Sequence, residues 1–179
     1  MERIAVVGCI GAWKSTFARS LGMRLGIEAF HLDRYWWRPG RYRVTGPATV
    51  ATNTVEPAEF RRIEEEIVAR DRWVIDGDAV NKDLRLSRAD TVVFLDFPRW
   101  LCLCGLLQRH LKGSYDYPDG VKASLRWVAF LAQWIWTTWP SARRPSLVTA
   151  ISVHAAAAEV IQLHNRREVR RFLSSVERR

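Results

Sequence analysis

Short apolar runs alternate along the chain with longer stretches of helical spacing. Five runs rich in β-branched residues, at 3–7, 27–31, 73–75, 91–95 and 159–163, read as strands. Between them, 14–25 carries Phe17, Leu21 and Leu25 on one helical face. The stretch 57–70 opens on Pro57, a good first-turn residue, and aligns Phe60, Ile63, Ile67 and Val68 in one stripe. Further helices are predicted at 98–111, 121–139 and 166–176. Strands alternating with helices of this length predict parallel βαβ units and an α/β fold. The strand runs are continuously apolar, as expected where helices cover both sheet faces. Two polar, Gly- and Pro-containing stretches, 33–56 and 112–120, read as lobes or loops. No repeat or Ser/Gly linker divides the chain, so 1–179 is expected to form a single domain.

Composition narrows this picture. The 179 residues are enough for a real core, and 48% apolar content excludes a disordered or low-complexity protein. Cys9, Cys102 and Cys104 have neither C-x-x-C spacing nor a His cluster, so no zinc site or disulfide framework is expected. The apolar run after Arg3 is too short for a signal peptide. The Trp-rich run 127–139 is shorter than the roughly 20 residues of a membrane span. A cytoplasmic protein without an integral membrane segment is expected. The net charge of +9 is uneven: residues 1–120 hold 18 basic and 16 acidic groups, residues 121–179 hold 10 and 3. This excess keeps nucleic-acid contact open, although no reader motif accompanies it. A solvated arginine face on the last helix is the simpler reading. The Trp-rich helix offers a packed stripe, or a surface for a homodimer. Of the 28 basic residues only four are Lys, and Lys14 is one of them.

Lys14 stands in Gly8-Cys9-Ile10-Gly11-Ala12-Trp13-Lys14-Ser15-Thr16, between the first strand and the first helix. A phosphate-binding loop needs this context, because the exposed N–H groups and the dipole of a helix N-terminus attract an anion. Gly8, Lys14 and Ser15 match G-x-x-x-x-G-K-[ST]. Lys14 would bridge the β- and γ-phosphates of ATP, Ser15 would ligate Mg2+, and backbone from Gly11 through Ala12 and Trp13 to Thr16 would cradle the anion. Trp13 replaces the glycine before the lysine. A left-handed conformation there costs a non-Gly residue about 1–2 kcal/mol. An outward ring would leave binding weakened; an inward one would occupy the phosphate site.

With these residues the chain resembles the P-loop kinase family, in particular the bacterial adenylate-kinase-like branch known as DNA topology modulation proteins. The segments that carry the resemblance are His31-Leu32-Asp33, Trp37-Arg38-Pro39-Gly40, Trp73-Val74-Ile75-Asp76-Gly77, Arg85-Leu86-Ser87-Arg88-Ala89-Asp90 and Leu95-Asp96-Phe97-Pro98-Arg99-Trp100-Leu101. Near the end, Val160-Ile161-Gln162-Leu163 and Arg166-Arg167-Glu168-Val169 follow the same pattern. The resemblance implies a three-layer fold with a parallel five-stranded sheet of order 2-3-1-4-5. It also implies an acceptor-binding lobe at about 33–56 and a small lid at about 109–120.

Ligands of open α/β sheets sit at the carboxyl ends of strands. Asp33 there would orient or deprotonate an acceptor hydroxyl, or simply form a turn. Asp76 is the better candidate for a carboxylate that serves Mg2+, or else a turn aspartate before Gly77, and Asp96 reads as a helix-start residue. Arg38, Arg85 and Arg88 are candidate ligands for an acceptor phosphate, since guanidinium suits bidentate phosphate contact. Arg109 is the one clear lid-side arginine for the transferring phosphoryl group; Gly105 stands where related kinases carry another. Together these residues point to an ATP- and Mg2+-dependent kinase acting on a nucleotide or nucleoside-like small molecule. Two alternatives stay open: a catalytically weakened nucleotide-binding or regulatory module, motivated by Trp13 and the thin lid, and a nucleic-acid-associated protein.

Overall fold

The computed structural model describes residues 1–77, 82–113 and 117–176. Part of the expected lid (114–116) and the terminal Arg178 and Arg179 lie outside them. Five parallel strands form the main sheet: β1 (Arg3–Gly8), β2 (Ala29–His31), β4 (Trp73–Asp76), β5 (Thr91–Leu95) and β7 (Glu159–Leu163), in the order β2-β4-β1-β5-β7. Counting main-sheet strands alone, this is 2-3-1-4-5. The central strands β1, β4 and β5 are buried almost throughout, as continuous apolar runs require. β7 is an edge strand exposed over most of its length. Helix α1 (Lys14–Leu25) packs on β1, β2 and β4, and α9 (Arg166–Ser175) packs on α1. A second group of helices joins α4 (Pro57–Val68), α5 (Lys82–Arg88) and α8 (Arg144–His154), with α5 against β1.

The two stretches read as loops contain short elements. The first forms α2 (Leu32–Trp36), β3 (Tyr42–Val44) and α3 (Pro47–Asn53). After α6 (Arg99–Lys112), β6 (Val121–Ala123) pairs in parallel with β3, so the segment that follows α6 is tied to the lobe after β2. Val121–Ala123 is therefore strand rather than the start of the Trp-rich helix. α7 spans Leu125–Thr138 and is capped by Ser124, whose hydroxyl accepts from the Trp127 N–H. Pro140, lacking an amide hydrogen, falls in a π-helical turn at Trp139–Arg143 that leads into α8. Asp96 is not a helix cap. Its carboxylate accepts two hydrogen bonds from Arg144, at 2.8 and 2.6 Å, and one from Gln162 at 2.8 Å, fastening α8 beside the end of β5. Among the described residues no helix is long and apolar enough to cross a membrane.

Candidate active site

The parallel register sets out the site. Val6, Asp76 and His31 occupy one row across β1, β4 and β2, just before β1 turns into the loop that starts α1. Ser15, in the first turn of α1, donates to Asp76 Oδ2 at 2.7 Å. The other oxygen of Asp76 meets Nδ1 of the buried His31. His31 was legible only as part of a resembling segment; its place beside Asp76 follows from strand register, which the sequence does not display. The Lys14 ammonium folds back to the Cys9 carbonyl at 2.9 Å. No side chain caps the start of α1, which leaves its N–H groups for an anion.

Trp13 has φ 56° and ψ 31°, the one positive-φ non-glycine among the described residues. The loop thus keeps its left-handed bend without the glycine. The ring rests against Phe97, with centroids 6.2 Å apart, and the Arg166 guanidinium lies over it at 3.6 Å. Part of the strain is offset by this cation–π contact, worth about 0.5–1 kcal/mol for an exposed guanidinium such as that of Arg166. Gly105 explains where the ring can go. A Cβ on Gly105 would stand 2.0 Å from the Gly11 carbonyl oxygen and 3.0 Å from Cη2 of Trp13. In the other direction, a Cβ on Gly11 would stand 2.1 Å from the Cys102 carbonyl oxygen. Loop and α6 therefore meet backbone to backbone, and the Trp13 ring covers the space a larger residue at 105 would need. The two departures from the kinase pattern, Trp13 and Gly105, form one packing solution. Cys9 reinforces the seam: its hydrogen bond to Cys102 is the main cause holding that thiol below its usual range, with burial opposing and the Lys14 charge assisting.

Two cavities flank the loop. The first, about 520 Å3, lies between α1, α6 and α9. Its basic residues are Arg19, Arg109, Lys112, Arg166 and Arg170, with no carboxylate among the described lining residues, and Trp13 forms part of its wall. The second, about 310 Å3, is walled by aromatic residues and holds Lys14, Asp33 and Asp76. Ser15 and Arg109 line both. Trp13 lines only the first and Lys14 only the second, so the indole does not sit on the lysine's side of the loop.

The chain folds like kinases of known structure. No family model matches it, and no curated protein matches its sequence. A shikimate kinase from Acinetobacter baumannii, solved with shikimate, superposes with a TM-score of 0.58 at 19% identity, over 98% of this chain and 90% of that one. For a shikimate kinase from Bacteroides thetaiotaomicron the TM-score is 0.54 at 18% identity, with 97% and 94% covered. A sugar kinase from Janibacter sp. HTCC2649 gives 0.53 at 16%, with 97% and 93% covered. The fold is that of the P-loop kinases.

Within this P-loop kinase fold, Gly11, Ala12, Trp13, Lys14, Ser15, Thr16, Asp33, Asp76 and Arg109 gather around the two cavities. Of the other four candidates, Gly8 closes β1, where a Cβ would stand 2.5 Å from the Leu95 carbonyl oxygen, and lines neither cavity; the three arginines do not reach them either. Arg38 is exposed and donates to the Thr54 carbonyl at 2.8 Å, near Glu56. Arg85 is fully buried, paired with Glu64 at 2.6 Å and bonded to the Gly77 carbonyl, so it clamps α4, α5 and the end of β4. Arg88 is exposed on α5 and lines neither cavity.

Further cationic residues come from positions to which the sequence assigned no ligand role. Arg166 and Arg170 belong to the basic last helix, read there as a solvated face, and Arg143 reaches the second cavity from the π-helical turn. A signal for the first two was present. Asn165 accepts from the Arg167 and Glu168 N–H groups, while Glu168 accepts from the His164 N–H and the Asn165 side chain. This reciprocal cap, written N-x-x-E, fixes where α9 starts and so brings Arg166 over Trp13.

Proposed function

We propose that the chain is an ATP-dependent phosphotransferase acting on a small-molecule hydroxyl, with the cationic cavity taking the nucleotide and the aromatic cavity the acceptor. The observation that carries this reading is the junction: Ser15 and Arg109 line both cavities, and Lys14 lies beside them. The α1 N-terminus and Lys14 would hold the phosphates, and Arg109 would neutralise charge on the group in flight. Asp33, half-buried in the acceptor cavity, would orient the attacking hydroxyl and take its proton. The hydroxyl oxygen bonds to the γ-phosphorus as the bond to the β–γ bridging oxygen breaks, and that oxygen leaves with the electron pair on ADP. Ser15 and Asp76 supply hard oxygen donors that fit Mg2+, which, when bound, would draw off charge from the phosphates. The segments shared with the adenylate-kinase-like branch support ATP as donor. The similar structures, named for shikimate and for a sugar, support a small-molecule acceptor.

A label-transfer assay from γ-labelled ATP to a panel of nucleosides, nucleotides and ring alcohols tests this. Transfer to at least one acceptor is expected. No transfer, together with no Mg·ATP binding by calorimetry, contradicts it.

Trp13 favours one second reading, a weakened nucleotide-binding module. Two variants separate strain from bulk: Trp13→Ala keeps the left-handed demand and loses the ring, whereas Trp13→Gly loses both. Trp13→Gly should be the more stable of the two by about 1–2 kcal/mol in urea unfolding. If Trp13→Gly raises ATP affinity tenfold or more (about 1.4 kcal/mol), the weakened-module reading gains; unchanged or lower affinity makes the ring a working wall.

A further inference from the structure

We infer that the aromatic cavity takes an uncharged, ring-bearing alcohol of nucleoside type, without a phosphate or carboxylate of its own. As a statement about the acceptor, this rests on the kinase reading. Three observations lead to it.

The walls are aromatic and held in place. Trp36 packs edge-on against Phe60, with centroids 5.0 Å apart, and Trp37 lies 5.1 Å from Tyr117. Trp127 donates from Nε1 to the Tyr117 hydroxyl at 3.2 Å and stacks on Phe130 at 5.1 Å. Walls fixed by other rings present flat faces without an ordering cost on binding, which suits a planar or cyclic ligand. The volume of about 310 Å3 is at the small end of the range for small-molecule sites.

The groups that would recognise a second anion are engaged elsewhere. Arg85 is sealed in its pair with Glu64, Arg38 serves the lobe surface, and Arg88 is exposed away from the cavity. Lys14 and Arg109 belong to the phosphoryl end. Arg143 is the further cation, its guanidinium 5.9 Å from the Trp134 ring centroid.

Carboxylates occupy the same space. Asp33 and Asp76 both line this cavity, whereas the described lining of its cationic neighbour has no carboxylate. With Lys14 and Arg109 given to the transferring phosphates, an acceptor phosphate or carboxylate would meet Asp33 with like charge and Arg143 to compensate; a hydroxyl would donate a hydrogen bond to the same Asp33.

Intrinsic tryptophan fluorescence of the full chain, titrated in the presence of a saturating non-hydrolysable Mg·ATP analogue so that Lys14 and Arg109 are engaged, gives the test. The probes are adenosine, guanosine, cytidine and uridine, each against its own 5′-monophosphate. At least one nucleoside should quench, about tenfold tighter than its monophosphate. Trp134→Ala should weaken that binding about tenfold, and Trp136→Ala, on the other side of α7, should leave it unchanged. A monophosphate that binds as well as or better than its nucleoside overturns the inference. So does the failure of all four nucleosides to bind below about 1 mM. Label transfer separates this from the kinase reading. Transfer to monophosphates in preference to nucleosides keeps the kinase and removes the inference. Nucleoside binding without any transfer removes the kinase and keeps the ligand class.

Discussion

The two cavities share a loop and differ in almost every other respect. One carries five basic side chains, no carboxylate among its described lining, and an indole covered by a guanidinium. Its neighbour is smaller, aromatic, and holds Asp33 and Asp76. The contrast teaches that charge here is sorted by location rather than by amount. The excess at the end of the chain is not only a solvated face. Arg166 and Arg170 wall the cationic cavity, Arg143 reaches the aromatic one, and Arg144 is bound to Asp96. A polyanion and a flat, uncharged ring would each find a matching side, with Ser15 and Arg109 where the two meet.

The largest expected effect breaks the junction itself. Lys14→Ala should lower label transfer by about 10²–10³-fold, since it removes a preorganised positive charge from the phosphoryl path. Far-UV circular dichroism should show the fold intact.

The next effect acts on the seam behind the cationic cavity. Gly105→Ala puts a Cβ 2.0 Å from the Gly11 carbonyl, a contact with backbone that cannot swing away. Destabilisation of about 1–3 kcal/mol is expected in urea unfolding, with weaker ATP binding as the loop shifts. Gly46→Ala is the control, since a Cβ there meets nothing within 4 Å and its φ of 168° is extended backbone. Equal behaviour of the two variants would deny that α6 shapes the loop.

The smallest effect concerns pH and the mooring of α8. Burial pushes the Asp96 carboxyl up, but hydrogen bonds from Arg144 and Gln162 and the Arg144 charge outweigh it, so the group titrates below its usual range. A carboxyl depressed in the folded state stabilises fully above its unfolded value of about 3.9 and loses that contribution as pH falls through the folded value. Wild type should therefore lose stability below about pH 4 more steeply than Asp96→Asn, as measured by thermal melts from pH 6 to pH 3.

Much of this architecture was legible in the sequence, for reasons that also mark where legibility stopped. The main strands are buried apolar runs, and α1, α4 and α9 carry clear periodicity, so pattern alone located them. β3, α3 and β6 are held by pairing with each other and by lobe contacts, and segments of three to seven residues leave little periodic signal. The place of the loop between β1 and α1 was legible because Gly8, Lys14 and Ser15 sit in a fixed spacing. Arg38, Arg85 and Arg88 were misplaced because an arginine's partner depends on what packs opposite it; Glu64 on α4 captures Arg85 and nothing local announces it. Trp13 and Gly105 look like separate losses when ninety residues apart, and only the packing shows that each accommodates the other.

The central claim is that the cavity between α1, α6 and α9 receives the nucleotide. Isothermal calorimetry of Mg·ATP with wild type and with the Arg166→Ala/Arg170→Ala double variant tests it most directly. One-to-one binding by wild type, weakened about tenfold or more in the double variant, is the predicted result. No binding by wild type, or equal affinity for both proteins, would contradict it.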